Sequence, residues 1–376
     1  MSYAAMETAP RRMEEAPVRV TWAGNPWSLT GLCFLNLLLV VLTVGIYWFW
    51  ARSEYRRYMW QMVRVNGEPL EYTGTGRELL IGYLKLFAFV ILPVILFFTV
   101  MNAVLGPKSP LLPLVILPFY AAFFFLYFAG VFRAHRYILS RTRWRGIAFG
   151  LAEGASGYAW ASIWTALVNG LTAGWLLPWR TVALRRRIVS AMRFGSAPLR
   201  FEGGSGSLYG PFAVAWLAGV TAYIALIAAI TIPMIKYQEA HPGRAPAPDM
   251  TKINFADIPQ TAVLIFIVAI PILIIAMSWF ESNKLNIFAR ATKFGGMSAH
   301  LEATGASIFW LTLTNAFLLL ISLGILRPVT QARRLRYLVE RLSFSGYADI
   351  NAVQRGADYT GAAGAGLETA FSIEIF

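Results

Sequence analysis

The feature that most constrains this chain is a series of seven apolar stretches, each close to the length of a membrane-crossing helix. A helix needs about 20 apolar residues to cross the ~30 Å hydrocarbon layer of a bilayer. The 376 residues are 57% hydrophobic and 14% charged, outside the usual composition of soluble domains. We therefore predict an α-helical polytopic membrane protein. Its apolar segments are 27–50, 79–105, 111–132, 158–179, 209–235, 258–280 and 307–326.

The positions of Lys and Arg distinguish two topologies. If all seven segments cross, the basic residues fall on both faces with little bias, whereas cytoplasmic loops normally carry an excess of them. If only the pairs 79–132 and 209–280 cross, nearly all basic residues lie on one face, and the exceptions are Lys108, Lys236, Arg244 and Lys252. We favour four full spans plus three re-entrant or interfacial segments, with seven spans as the alternative. Both termini are then expected in the cytoplasm.

The first, fourth and seventh segments resemble one another, which indicates a threefold internal repeat. Each contains a short motif ending in glycine: Thr43 to Gly45, Thr172 to Gly174 and Ser322 to Gly324. An arginine follows each glycine by twelve positions: Arg57, Arg186 and Arg336. Short alternating segments flank each unit, and we predict that they form short cytoplasmic β-strands. Strands at both ends of a unit can pair only if both ends lie on one face of the membrane.

This repeat divides the chain into seven parts. They are a disordered tail at 1–16, repeat unit 1 at 17–78, a transmembrane helix pair at 79–132, repeat unit 2 at 133–208, a second transmembrane helix pair at 209–281, repeat unit 3 at 282–346 and a mostly disordered tail at 347–376.

Three segments resemble the YjgN family of bacterial inner-membrane proteins, a domain of unknown function. They are LTVGIYWFWARSEYRRY at 42–58, LSRTRWRGIAFG at 139–150 and LGILRPVTQARRLRYL at 323–338. The resemblance covers about residues 18 to 346 and implies localisation in the bacterial inner (cytoplasmic) membrane. It brings no substrate, catalytic residue or cofactor. The units also differ: Phe49 stands where the others have Pro178 and Pro328, and Val329 replaces a tryptophan.

Motifs typical of enzymes and metal sites are missing from the sequence. His135, His241 and His300 lie far apart and lack the spacing of metal ligands. Cys33 is the single cysteine, so an intrachain disulfide is excluded. The glycines at 203–210 lack the Lys-Ser/Thr ending of a phosphate-binding loop. We expect no enzyme, no catalytic residue, no metal and no cofactor.

Clustered arginines are the strongest local feature. Arginine can bind phosphate through two parallel hydrogen bonds, and each basic residue near an anionic surface contributes about 1 kcal/mol. The alternative is that these residues only fix the topology. The candidates for binding an anionic headgroup or phosphate are Arg56, Arg57, Arg141, Arg143, Arg145, Arg185, Arg186, Arg333, Arg334 and Arg336.

Polar residues inside apolar segments form a second candidate set, because they need hydrogen-bond partners and often line interfaces or pathways. They are Asn36, Thr43, Lys85, Asn169, Thr172 and Asn315. Lys85 lies about two helical turns from the start of its span, so snorkelling to the interface is an alternative role for it.

Two functional hypotheses follow. The first is a transporter, channel or lipid-handling protein of the inner membrane. The second is a non-catalytic scaffold or envelope-stress component that binds anionic lipid or a partner protein. The net charge of +14 favours membrane lipids with anionic headgroups as partners over nucleic acid. A homo-oligomer is left open.

Overall fold

The computed structural model describes residues 18–106, 109, 112–152, 154–240, 260–348 and 353. The predicted tail at 1–16, most of the predicted tail at 347–376, and Lys108, Arg244 and Lys252 lie outside these residues.

Helices form most of the described chain, and four of its helical segments are long and apolar enough to cross a membrane. These segments are Gly76–Leu105, Leu114–Ser140, Gly206–Ala229 and Val263–Ala291. They belong to α3 (Gly76–Leu86), α4 (Leu92–Leu105), α5 (Leu112–Ser140), α8 (Gly206–Ala240) and α9 (Gln260–Ala291). A π-helical turn at Phe87–Ile91 joins α3 to α4 just before Pro93, which cannot donate a backbone hydrogen bond. The predicted mostly helical fold with four long apolar helices is confirmed.

Three shorter helical hairpins complete the helical part. They are α1 (Leu29–Leu42) with α2 (Trp48–Met62), α6 (Ala155–Leu171) with α7 (Leu177–Ala191), and α10 (Gly305–Ile321) with α11 (Arg327–Glu340). In each hairpin the first helix is apolar and the second carries several arginines. The stretches at 27–50, 158–179 and 307–326 therefore each contain a turn and are not single continuous helices.

The three hairpin turns share one backbone geometry. Val44, Ala173 and Leu323 have φ between 49° and 52°, and the glycine that follows each has φ between 84° and 90°. The glycine amide donates to a carbonyl five residues earlier, at 2.8 Å in all three turns. Left-handed backbone at a β-branched residue such as Val44 is strained, and the hydrogen-bonded turn holds it in place. Thr43 adds to this by accepting from the Tyr47 amide at 2.9 Å.

Short antiparallel strands connect the helices. They are β1 (Val20–Trp22), β2 (Val63–Val65), β3 (Glu68–Pro69), β4 (Glu71–Tyr72), β5 (Thr142–Trp144), β6 (Ile147–Leu151), β7 (Met192–Phe194), β8 (Ala197–Phe201), β9 (Thr292–Phe294), β10 (Met297–Leu301) and β11 (Leu342–Ser345). One sheet has the order β1-β2-β3, and the other runs from β4 to β11 in chain order.

Two main kinds of connection join the strands, and each kind lies at its own end of the strands. Two-residue turns such as Asn66-Gly67 and Arg145-Gly146 join alternate strands, and both residues of these turns have positive φ, as in type I′ hairpins. Leu70 alone separates β3 from β4, and the remaining connections are the three helical hairpins and the two long helix pairs. Because neighbouring strands are antiparallel, all helical hairpins leave from one end of the strands and all two-residue turns lie at the other.

The first and last hairpins pack together, so the two ends of the described chain meet. Leu29 and Cys33 of α1 share a buried core with Val329, Ala332 and Leu335 of α11. At the other side of the first hairpin, the Trp60 indole donates to the Thr142 hydroxyl at 2.9 Å, which joins α2 to β5.

Candidate functional site

A cavity of about 200 Å³ lies where the first and last hairpins meet. Its apolar wall is formed mainly by α1, with Cys33, Leu37 and Val40. The cavity extends from the turn of the third hairpin, at Gly324 and Ile325, toward Trp60 near the sheet. Its remaining lining residues come from α1, α2 and α11: Asn36, Trp48, Ala51, Arg52, Tyr55, Arg56, Met59, Arg327, Pro328, Gln331, Arg334 and Leu335.

The opposite wall is cationic. Arg52 and Arg56 are one helical turn apart on α2, and Arg327 and Arg334 lie on α11. Among the described residues that line the cavity there are these four arginines and no Asp or Glu. An apolar-walled cleft with charges of one sign concentrates ions of the opposite sign. The site therefore favours an anion.

Arg56 and Arg334 contact neighbouring protein groups. Arg56 is 7% exposed, and its Nη1 donates to the Tyr72 hydroxyl at 3.5 Å. Arg334 reaches Glu281 of α9, with 3.8 Å between Nη2 and Oε1, and Glu281 also pairs with Lys284. These contacts orient the guanidinium groups.

Asn36 is the distinctive polar residue of the cavity. It is 1% exposed, and neither amide atom has a hydrogen-bond partner within the described structure. The Tyr55 hydroxyl lies beside it without normal hydrogen-bond geometry. A buried polar group left unpaired costs roughly 1–3 kcal/mol. An unpaired amide in the lining of a cavity is a candidate contact for a bound molecule.

The matching positions in the other hairpins differ from Asn36. Thr165 of α6 satisfies its hydroxyl by donating to the Ala161 carbonyl at 2.6 Å. Asn315 of α10 contacts the Thr330 carbonyl at 3.5 Å, although its Oδ1 is unpartnered. Neither lines this cavity.

Of the ten predicted arginines, the structure brings only Arg56 and Arg334 to the cavity. Arg57 and Arg186 make the same contact in two hairpins, since each donates to a glycine carbonyl seventeen residues later, at 3.5 Å to Gly74 and 2.6 Å to Gly203. Arg336 pairs with Glu340 at 2.6 Å.

Two further predicted arginines of the hairpins lie against aromatic rings. Arg185 is 5.8 Å from the ring centre of Phe288, and burial lowers the pKa of its guanidinium. Arg333 donates to the Thr314 hydroxyl at 3.1 Å and lies 5.9 Å from the Trp27 ring.

The predicted arginines around β5 contact α3 and β3 or are partly unpartnered. Arg141 pairs with Glu78 of α3 at 3.0 Å, and Arg145 pairs with Glu68 of β3 at 2.8 Å. The hydrogen bond that Arg145 donates to the Glu68 carboxylate raises the pKa of Arg145. Arg143 has a buried Nε without a partner. These residues lie outside the cavity.

The predicted polar residues of the apolar segments do not come together at one site either. Thr43 and Thr172 each donate to a carbonyl four residues earlier, in α1 and α6 respectively, and Asn169 has a buried, unpartnered Oδ1. Lys85 is exposed in the last turn of α3. Asn36 is the one member of this set that lines the cavity.

Sequence reasoning missed Arg52, Arg327 and Gln331. Their signal was helical spacing, because Arg52 precedes Arg56 by four residues, and Arg327, Gln331 and Arg334 follow one another at intervals of four and three.

Comparison with known proteins gives the family context. The family described as "Bacterial protein of unknown function (DUF898)" matches residues 17–370. The inner membrane protein YjgN of Escherichia coli K12 is 26% identical over 143 residues, which are 38% of this chain and 33% of that protein. YjgN of Salmonella typhimurium is 39% identical over 56 residues, 15% of this chain and 14% of that protein.

The chain thus aligns with about a third or less of the length of these relatives. No solved structure matches it. The match over most of the sequence shows that this chain belongs to the bacterial DUF898 family, with relatives that are named inner membrane proteins.

Proposed function

We propose that this protein is a lipid-handling protein of the bacterial inner membrane, in which two long helix pairs cross the bilayer and three short hairpins enter only the cytoplasmic leaflet. The observation that carries the proposal is the surface of the hairpin turns. Val44 is 92% exposed, Leu171 88% and Leu323 89%. Apolar tips this exposed are unfavourable in water and favourable in lipid.

Helix length supports the re-entrant arrangement. At 1.5 Å per residue, the four long segments of 24 to 30 residues measure about 36–45 Å, enough to cross. The first helices of the hairpins, with 14 or 17 residues, measure about 21–26 Å, which is shorter than the hydrocarbon layer. Since all hairpins leave from one end of the strands, short ones end inside the membrane.

The shared turn geometry supports three copies of one structural unit. The left-handed pair of residues, the 2.8 Å glycine hydrogen bond and the hydroxyl residue at the turn recur in all three hairpins. A helix rich in arginine follows each hairpin tip. Both ends of each long helix pair adjoin strands of the eight-stranded sheet. We place the sheet, the basic helices and both termini in the cytoplasm because cytoplasmic segments carry the excess of Lys and Arg.

Lipid handling is favoured over a solute pathway by the positions of the polar residues. A pathway needs polar side chains that converge along the spans. Here Lys85 is exposed, Thr43 and Thr172 belong to turns, and Asn36 lines a cavity whose opposite wall is cationic. The second hypothesis remains a non-catalytic scaffold that binds anionic lipid or a partner protein, and lipid association tests its partner-protein form against lipid handling.

Thiol labelling with a membrane-impermeant reagent tests the topology. In a Cys33→Ser background, Ser156→Cys and Ser205→Cys bracket the second hairpin, and Ser109→Cys lies at the far end of a long pair. The first two are expected to label only after the cytoplasmic face is opened, whereas Ser109→Cys labels in intact spheroplasts. Labelling of Ser156→Cys and Ser205→Cys from opposite sides would contradict re-entrance.

Association with spin-labelled lipids tests the function. In reconstituted vesicles we expect the protein to immobilise a larger fraction of phosphatidylglycerol than of phosphatidylcholine, because the basic helices face the headgroups. The difference should shrink at high salt, which screens exposed charges. Equal immobilisation of both lipids at low salt would reject lipid handling and leave a scaffold that binds a partner protein.

A further inference from the structure

We propose that the cavity between α1, α2 and α11 binds the phosphate end of one anionic lipid, with the start of an acyl chain along α1. This inference rests on the proposed lipid-handling function and specifies its site. The other two hairpins provide shape and charge at the surface, whereas this cavity is the place where a single lipid molecule is held.

The charge of the cavity selects an anion. Arg52 and Arg56 project from α2, and Arg327 and Arg334 from α11, around a lining without acidic residues among the described residues. Guanidinium groups match the geometry of phosphate oxygens and are less strongly hydrated than ammonium groups, so they bind phosphate well in partly apolar surroundings.

The apolar wall selects an amphiphile over a free phosphate. Leu37 and Val40 lie on α1 opposite the arginines, and the lining reaches the turn at Gly324 and Ile325. In the proposed topology this turn lies within the leaflet. A lipid can therefore enter sideways from the bilayer, keep its chain in contact with α1 and bring its phosphate to the arginines.

Asn36 supplies an independent observation at this site. Asn36 lies on α1 in the lining of the cavity, its side chain is buried, and neither amide atom has a hydrogen-bond partner within the described structure. An amide offers donors and an acceptor. The headgroup hydroxyls and ester carbonyls of phosphatidylglycerol lie several bonds from the phosphate, within reach of a second polar contact beside the arginines.

The size of the cavity limits what is enclosed. Pockets for whole drug-sized ligands measure roughly 300–1,000 Å³. At about 200 Å³, this cavity holds a headgroup and the beginning of one chain. The rest of the lipid then remains in the bilayer, which is consistent with a bound lipid that exchanges with its surroundings.

The test is lipid binding by the full-length purified protein, measured by native mass spectrometry and by thermal unfolding in detergent. The ligands are phosphatidylglycerol, phosphatidylcholine and glycerol phosphate. The cavity variants are Asn36→Leu and the pair Arg52→Gln with Arg327→Gln, which spares the more buried Arg56. The controls are Asn315→Leu, at the matching place in the third hairpin, and Arg57→Gln, on the exposed face of α2.

We expect phosphatidylglycerol to bind the native protein at least tenfold more tightly than phosphatidylcholine and to raise its unfolding midpoint. Both cavity variants should lose most of this binding and of the shift, while both controls keep them. When lipid is absent, Asn36→Leu should unfold at a higher temperature than the native protein, because it removes a buried unpaired amide. A misfolded variant would instead unfold at a lower temperature.

Three outcomes would overturn the proposal. Unchanged binding in the cavity variants would place the lipid elsewhere, and equal loss in the controls would mean a diffuse charge effect. Binding of glycerol phosphate as tight as that of phosphatidylglycerol would identify a soluble phosphate ligand. If the protein prefers anionic spin-labelled lipid but the cavity variants bind lipid like the native protein, only the proposed site is rejected. If the preference for anionic spin-labelled lipid is also absent, the proposed function is rejected as well.

Discussion

At the scale of single residues, two arginine–glutamate pairs beside β5 differ in burial and should differ in energetic weight. Arg141 and Glu78 retain 16% and 31% side-chain exposure, and the Tyr137 hydroxyl also donates to Glu78 at 3.0 Å. Arg145 and Glu68 retain 41% and 49%. Exposed pairs are typically worth about 0–1 kcal/mol, whereas removing one partner of a shielded pair costs more because the other charge stays unpaired.

We therefore predict that Glu78→Gln lowers the free energy of unfolding by roughly 1–3 kcal/mol. The neutral amide removes the charge that pairs with Arg141 and accepts weaker hydrogen bonds from Arg141 and Tyr137. Glu68→Gln is the matched control and should change it by less than about 1 kcal/mol. Unfolding in detergent, followed by tryptophan fluorescence, measures both. Similar losses for the two variants would show that burial is not what distinguishes the pairs.

At the scale of secondary-structure elements, the starts of two long helices offer a comparison of steric packing. Gly76 begins α3, and a Cβ added there would lie 2.7 Å from the Cα of Trp50 in α2. Gly206 begins α8, and a Cβ there would meet no atom within 4 Å. Neither residue has positive φ, so the backbone tolerates alanine at both places.

Gly76→Ala should force α2 and α3 apart and lower the free energy of unfolding by about 1–3 kcal/mol, the usual cost of overpacking. Gly206→Ala should be neutral or stabilise the protein by up to about 1 kcal/mol, because alanine restricts the unfolded chain. Midpoints of thermal unfolding in one detergent compare the two. A native-like midpoint for Gly76→Ala would mean that the helices are not in close contact.

The secondary-structure elements also show which parts of the fold can be predicted from local sequence. The four long helical segments follow from the apolar runs, and motifs such as Thr43 to Gly45 mark the hairpin turns, because each of these signals lies in one continuous segment. The pairing of β4 with β5 and the contact of α11 with α1 join residues far apart in sequence, and no local pattern specifies them. Arg57 and Arg52 illustrate the consequence for the candidate site: both are arginines of α2, but only the fold decides that Arg52 faces the cavity and Arg57 a glycine carbonyl.

At the scale of the whole molecule, the contact between the first and third hairpins accounts for a difference among the three hairpin sequences. Trp50 and Trp179 each lie five residues after the turn glycine of the first two hairpins, and Val329 takes this place in the third. Trp179 is 36% exposed, whereas Val329 is fully buried in the core that α11 shares with α1. The ends of the described chain can meet only if the residue at this contact is small.

Val329→Trp should therefore separate α11 from α1 and destabilise the protein by about 3 kcal/mol or more, since an indole far exceeds the space of a valine in a packed core. The reciprocal change Trp179→Val removes a partly exposed ring and should cost about 1 kcal/mol or less. Limited proteolysis in detergent adds a local readout, because separated hairpins expose the α10–α11 turn and the start of β1. Cleavage there in Val329→Trp but not in Trp179→Val is the expected pattern. If Val329→Trp instead has the stability and the cleavage pattern of the native protein, the two hairpins do not form a tight contact. The cavity would then lose the side that α11 forms.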